Sequence, residues 1–240
     1  MIAHDPKLVI LSTTIAILGA FTAAVLTSNI AAHTGGEGRM RVLMAALSLG
    51  GSLWAISFVG LLAIDGPINL AYNPLLLAAS ALAAIAGCTV ALFMLWPKEN
   101  RTEARFPWAV AILGAGIAAT NYCGIFAIAG SRLRFSWFLT LICVAVSMQA
   151  ALIILWFLFK TRGIVATIFG TLVLGLSITA THYAAVASTA GLDETLFAIP
   201  PDTSGISGSF LAWAATIMMY LICSICLSVF VIMQFREEMR

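Results

Sequence analysis

The sequence predicts an all-helical integral membrane fold of seven transmembrane helices, N-terminus outside and C-terminus inside, with a repeated helix-pair unit. Three observations predict it. Apolar residues make up 62% of the 240 and charged residues 9%, with a mean hydropathy of +1.06, against about 25% charged residues in a soluble domain. Apolar runs near the length needed to cross a bilayer, about 20 residues, recur seven times. A polar–aromatic pair returns at the spacing of one helix pair. The composition excludes a soluble enzyme and a disordered tail. A net charge of only +2 excludes a nucleic-acid partner.

The runs lie at about 8–28, 42–64, 74–96, 107–129, 136–159, 164–188 and 209–234. The first follows Lys7 and resembles a signal-peptide core, but it is too long for one and is read as a retained helix. The second is set off by Gly35-Gly36 before it and Asp65-Gly66-Pro67 after it. Pro97 with its flanking charges closes the third, Gly130 the fourth and Arg162-Gly163 the fifth. Pro200-Pro201 separates the sixth from the seventh. The third, fourth and sixth are rich in Gly and Ala, which lets helices approach closely. The seventh carries Cys223 and Cys226 in a C-x-x-C spacing, read either as a redox or metal pair or as two small packing residues. A short tail, Phe235 to Arg240, follows. The expectation is one domain over 1–240 with no soluble output domain.

Charge sets the orientation. With the N-terminus outside, the inner segments hold nine basic residues and the outer ones three, Lys7, Arg132 and Arg134. That follows the positive-inside rule. Trp96, Trp108 and Trp156 then mark the inner interface and Trp137 and Trp213 the outer, with Trp54 an exception inside its helix. All charged residues are read as lying in loops, tails or span edges, which argues against a pump or a coupled transporter. The lysines, Lys7, Lys98 and Lys160, all lie outside the seventh span, so there is no retinal Schiff-base site.

The repeat emerges when Ser57, Asn121 and His182 are aligned, at separations of 64 and 61 residues. Each follows a run of small residues and precedes an aromatic: Phe58, Tyr122 or Tyr183. The three fall at one depth on helices running the same way, past the midplane toward the outside. Convergence on one site is the functional reading, with His182, Tyr183, Asn121, Tyr122, Ser57 and Phe58 as ligand-binding candidates. The plainer alternative is that Ser57, Asn121 and His182 supply interhelical hydrogen bonds and that the tyrosines place their hydroxyls against neighbouring polar groups. His4 lies on the same outer side and is read as a metal-ligand candidate with His182, or as a solvated terminal residue.

At these residues the sequence resembles the bacterial MHYT domain family. Trp54-Ala55 with Phe58 and Gly60 resembles the first of its Met-His-Tyr-x-Gly-Met-like motifs. Asn121-Tyr122-Cys123-Gly124 resembles the second, and His182-Tyr183 the third. The stretch from His4 to Ser12 resembles the start of the family's first helix. The resemblance implies a seven-helix sensory domain of the bacterial inner membrane, set in the lipid bilayer and acting with signalling proteins. It also implies a copper ion held by Met and His, and sensing of oxygen, carbon monoxide or nitric oxide. Here Ser57 and Asn121 stand for two of the three His. Ile56, Leu61, Thr120, Ile125, Thr181 and Val186 stand for the six Met, and Ala185 for the third Gly. Soft thioethers are what suit Cu(I), so the metal site is expected to be degenerate. The reading is therefore a sensory domain, not an enzyme, binding a small ligand near the outer leaflet and signalling through a partner. The alternatives are a non-sensing membrane subunit or scaffold and, with less support, a small-molecule transporter.

Overall fold

Helix starts are written into the sequence. Asp5 and Asn73 each precede a proline that occupies the first helical position, and each side chain caps the new helix. Asp5 Oδ1 accepts the Lys7 N–H at 2.8 Å, and Asn73 Oδ1 accepts the Leu75 N–H at 2.9 Å. In a computed structural model that describes residues 5–28, 30, 33, 35–63, 71–96, 104–128, 134–160, 163–190 and 205–239, these caps open α1 (Pro6–Thr27) and α3 (Pro74–Leu95). The other helices of the described residues are α2 (Gly35–Leu62), α4 (Arg105–Phe126), α5 (Trp137–Lys160), α6 (Ile164–Ala187) and α7 (Gly208–Glu238). All seven contain stretches long and apolar enough to cross a membrane. Among the described residues four two-residue strands join the connections: β1 (Ala71–Tyr72) pairs with β4 (Ile206–Ser207), and β2 (Arg134–Phe135) with β3 (Thr189–Ala190).

The first six helices form a closed ring in chain order, with α6 returning to α1. Within it α2, α4 and α6 also touch one another, so the three motif helices meet in the middle. The repeat is visible in the hydrogen bonds at one end. The backbone N–H groups of Asp5, Asn73 and Ser136 donate to the carbonyls of Ala63, Ala127 and Ser188, at 2.7, 2.7 and 3.1 Å. Each acceptor lies six residues after its motif residue, Ser57, Asn121 or His182. Each bond therefore ties the start of an odd-numbered helix to the end of the even-numbered helix that follows it, closing three equivalent helix pairs.

Glycines at a second repeated position set the spacing. Gly50, Gly114 and Gly175 each lie seven residues before the motif residue. A Cβ on Gly50 would meet the α3 backbone at Ile85 Cα, 2.8 Å away. One on Gly114 would lie 3.0 Å from Met148 Cα in α5, and one on Gly175 3.0 Å from Ile17 Cα in α1. Here each even helix leans on its other ring neighbour with no room for a side chain. In a bilayer, where lipid is as apolar as leucine, such close approach supplies the van der Waals contact that holds helices together.

The seventh helix has no place in the ring. It packs against α1 and α2, and its apolar stretch is only 28% buried, against 83% for α2.

Three sequence expectations change in detail. Helix α2 begins at Gly35, ahead of the expected start at 42. Arg41, expected in a loop, is therefore inside a helix, and it is wholly buried. Trp96 is buried rather than set in an interfacial belt, because its indole N–H donates to the His33 carbonyl at 3.1 Å. Trp108, Trp137, Trp156 and Trp213 are exposed, as belt residues should be. Trp54, the exception in the sequence, is explained by its indole N–H donating to Ser80 Oγ at 3.1 Å across to α3. Cys223 and Cys226 are both buried in packing and both are free thiols.

Candidate functional site

The centre of the ring holds the three motif polar residues, each at most 3% exposed. Ser57 Oγ donates to Asn121 Oδ1 at 3.4 Å and lies 3.3 Å from the Leu53 carbonyl of its own helix. Both bonds are long, so the α2–α4 tie is weak. His182 reaches α2 one turn further along. A Cβ on Gly60 would lie 2.5 Å from His182 Nε2 and 2.7 Å from Cδ2, so the imidazole fills the space the glycine leaves. Gly124 on α4 faces Ser57 Cβ at 3.7 Å and the Phe58 ring at 3.9 Å, measured from its own would-be Cβ. The motif glycine is thus a notch for the motif residue of a neighbouring repeat. Histidine fills the notch at Gly60, whereas serine leaves the one at Gly124 loosely occupied.

The aromatic partners do not join this centre as a group. Successive helical residues point about 100° apart, so a residue next to an inward-facing one looks into a side seam. Phe58 is buried edge-to-face between Trp54 and Tyr72, with ring centroids 5.1 and 5.2 Å away. The Tyr122 hydroxyl lies 3.0 Å from Oγ of Ser188, the residue that caps the end of α6, with Thr140 and Cys143 of α5 beside it. Tyr183 leans toward α1 in the same way: its ring lies edge-to-face on His182 at 5.2 Å and its hydroxyl reaches Ser12. The structure therefore brings Ser57 to Asn121, sets His182 against Gly60 one turn along, and turns Phe58, Tyr122 and Tyr183 toward neighbouring helices.

Sequence reasoning missed Tyr72. It is 0% exposed, packed with Phe58, Leu61, Leu77, Val186 and Leu211 above the motif level. Its hydroxyl is buried with no hydrogen-bond partner among the described residues. Burial pushes its phenol well above the usual tyrosine range. The signal was present in the repeat. Tyr72-Asn73-Pro74 is in register with His4-Asp5-Pro6 and Phe135-Ser136-Trp137, so His4 and Tyr72 hold equivalent sequence positions. His4 itself lies outside the described residues.

A copper site of the kind the resemblance implies does not fit these residues. Among the described residues no group of three His, Cys, Asp or Glu is placed to hold a metal. The six positions expected to carry Met are buried, but four hold hydrocarbon. The other two, Thr120 and Thr181, donate their hydroxyls to Gly116 and Ile178 of their own helices, both at 2.7 Å.

Residues 50–107 match the family model MHYT, described as the bacterial signalling protein N terminal repeat. The MHYT resemblance is borne out. The matched MHYT repeat starts at Gly50, the first of the aligned glycines, and takes in the Ser57 motif and all of α3. The chain is 30% identical over 199 residues to the bifunctional diguanylate cyclase/cyclic di-GMP phosphodiesterase MucR of Pseudomonas aeruginosa, covering 78% of this chain and 28% of that protein. It is 22% identical over 194 residues to the signaling protein YkoW of Bacillus subtilis, covering 76% of this chain and 24% of the relative. The cyclic di-GMP phosphodiesterase NbdA of Pseudomonas aeruginosa is 29% identical over 123 residues, 51% of this chain and 15% of that protein. The chain thus spans between 15% and 28% of the length of these relatives. No solved structure matches it. The MHYT signalling family and the seven membrane-capable helices make this a multi-pass membrane protein.

Proposed function

We propose that the chain is an MHYT-type sensory domain of the bacterial inner membrane, N-terminus outside, that binds a small uncharged ligand at Ser57, Asn121 and His182. It carries out no chemistry of its own and signals through a partner protein or domain. The observation that carries this reading is the weak Ser57–Asn121 tie beside the His182–Gly60 contact, buried where the three motif helices meet. A ligand able to compete for those two polar side chains would favour one packing of α2 against α4 over another, which is what transmission requires. Tyr183 extends the site toward α1; Phe58 and Tyr122 shape its walls from the seams. The kinship to MucR and YkoW supports a signalling context.

A chimera tests it. The chain replaces the matching segment of MucR, and cyclic di-GMP turnover is measured in membranes. Asn121→Ala and His182→Ala are expected to hold the output at one fixed level, and Leu82→Ala, on the exposed side of α3, to leave it responsive to growth conditions. Unaltered responsiveness in the first two would overturn the sensory reading. Bound Cu, Zn and Fe are measured on the same purified proteins. Stoichiometric copper that is lost in His182→Ala would restore the family's metal chemistry.

The second reading is a membrane subunit or scaffold without a ligand. The absence of a metal-ligating group among the described residues favours it. It predicts that a chimera carrying any central substitution assembles and behaves as the parent does.

A further inference from the structure

We propose that the chain pairs with a second copy of itself through the outer face of α5, with the Gln149 side chains of the two copies hydrogen-bonded to each other inside the membrane. Gln149 stands twelve residues after Trp137 and eleven before Lys160, the ends of α5, so about 16 to 18 Å of helix lies on either side of it. Its side chain is on the exposed side of the helix, and among the described residues its amide makes no hydrogen bond. The other described side-chain amides are placed differently. Asn73 caps α3, Asn121 takes the Ser57 bond at the ring centre, and Gln234 stands near the end of α7. In the ring α5 packs between α4 and α6, and Cys143, Ser147, Ala150 and Ile154 line its buried side.

A side-chain amide carries two donors and an acceptor. Water satisfies them on a soluble surface. Lipid offers nothing, so a glutamine facing hydrocarbon is costly until another helix brings it a partner. The residues around Gln149 describe the partner's approach. Phe138, Ile142, Ala145, Gln149, Leu152 and Trp156 are all exposed, and they follow one another at steps of 4, 3, 4, 3 and 4. That is the heptad seam of a left-handed helix pair, in which a single polar residue fixes the register. Ala145, one turn from Gln149, leaves room for two backbones to draw close. A second copy fits this seam because an amide is its own complement. Two chains inserted the same way hold Gln149 at the same depth, and across a two-fold axis each amide donates to the other's carbonyl oxygen. An unrelated helix would need a polar group of its own at that depth. The pairing stands whether or not the central site takes a ligand.

Association is measured in the bilayer. The full chain is labelled at its C-terminus, half with a donor dye and half with an acceptor, and reconstituted in phosphatidylcholine vesicles. Energy transfer is followed as added lipid dilutes the protein. Gln149→Leu is expected to weaken association about tenfold and Gln149→Asn by less than about threefold. Leu82→Ala, on the exposed side of α3, is expected to leave it unchanged. Leucine suits lipid, so the Gln149→Leu monomer keeps its fold, which circular dichroism checks. A membrane-permeant bis-maleimide then reads the face, against the wild-type background. Ile142→Cys and Gln149→Cys are expected to cross-link between copies. Leu139→Cys, exposed but about 100° round the helix from the seam, is not. Three results would overturn the proposal: no energy transfer at any protein-to-lipid ratio, Gln149→Leu associating as the wild type does, or Leu139→Cys cross-linking as readily as Gln149→Cys.

Discussion

The His182 imidazole occupies the space in which a side chain on Gly60 would begin. The contact joins α6 to α2 across the ring centre, and it gives the motif glycine a reason. Glycine stands three residues after Ser57 because the neighbouring repeat delivers a side chain to that point.

Gly60→Ala is therefore expected to overpack the centre. The clash falls on a buried ring rather than on a flexible tip, so the cost should be about 1–3 kcal/mol. Gly124→Ala meets its neighbours only at 3.7 Å and beyond and should be neutral or stabilising, since alanine is the better helix former. Unfolding of both variants in mixed detergent and SDS checks this. Equal losses would mean that the two notches are equally filled.

The Ser57–Asn121 bond should contribute little. Its 3.4 Å length and the competing Leu53 carbonyl place it at or below the average of about 0.6 kcal/mol for side-chain bonds between membrane helices. A double-mutant cycle with Ser57→Ala and Asn121→Ala measures the coupling directly. A coupling well above 1.5 kcal/mol would show a tighter pair than this geometry allows.

The caps on α1 and α3 make a sharper prediction. Asn73→Ala removes the side-chain cap but leaves the backbone bond from residue 73 to Ala127 in place. The expected loss is about 1 kcal/mol. Asp5→Ala should cost a similar amount at the equivalent position of α1. Proline at 73 removes the backbone donor as well and should cost clearly more than alanine. If the two substitutions at 73 are equivalent, the pair-closing bond contributes nothing.

Much of this was legible in the sequence because bilayer physics leaves few choices. The runs from 8–28 to 209–234 each became a helix, since a backbone in lipid must satisfy its own hydrogen bonds. The 64- and 61-residue spacing of Ser57, Asn121 and His182 found the helices that meet at the ring centre. The same spacing did not show that Phe58 and Tyr122 face outward seams. That followed from the turn between successive helical residues, and needed only the assumption that Ser57 and Asn121 point inward. Arg41 was misplaced because a charge is assigned to a loop by default, whereas Glu37 and the Phe230 ring allow it to be buried. Trp96 was misplaced for a like reason: its acceptor is a backbone carbonyl 63 residues away, and no local pattern signals it.

Tyr72 carries the last prediction. Its hydroxyl is buried and makes no hydrogen bond among the described residues, a desolvation cost of about 1–3 kcal/mol with nothing returned there. Tyr72→Phe keeps the edge-to-face contact with Phe58 and should raise the unfolding midpoint. The pH dependence has a definite sign. Burial raises the folded-state phenol above its ordinary value, so the folded protein keeps a proton that the unfolded chain releases above about pH 10. The wild type should lose stability as pH rises past that point, and Tyr72→Phe should lose less. A lower midpoint in Tyr72→Phe, in protein taken from membranes without delipidation, would instead mean that the hydroxyl donates to a molecule carried in the bundle. The Ser57–Asn121–His182 centre would then extend to the level of Tyr72, one turn beyond the motif.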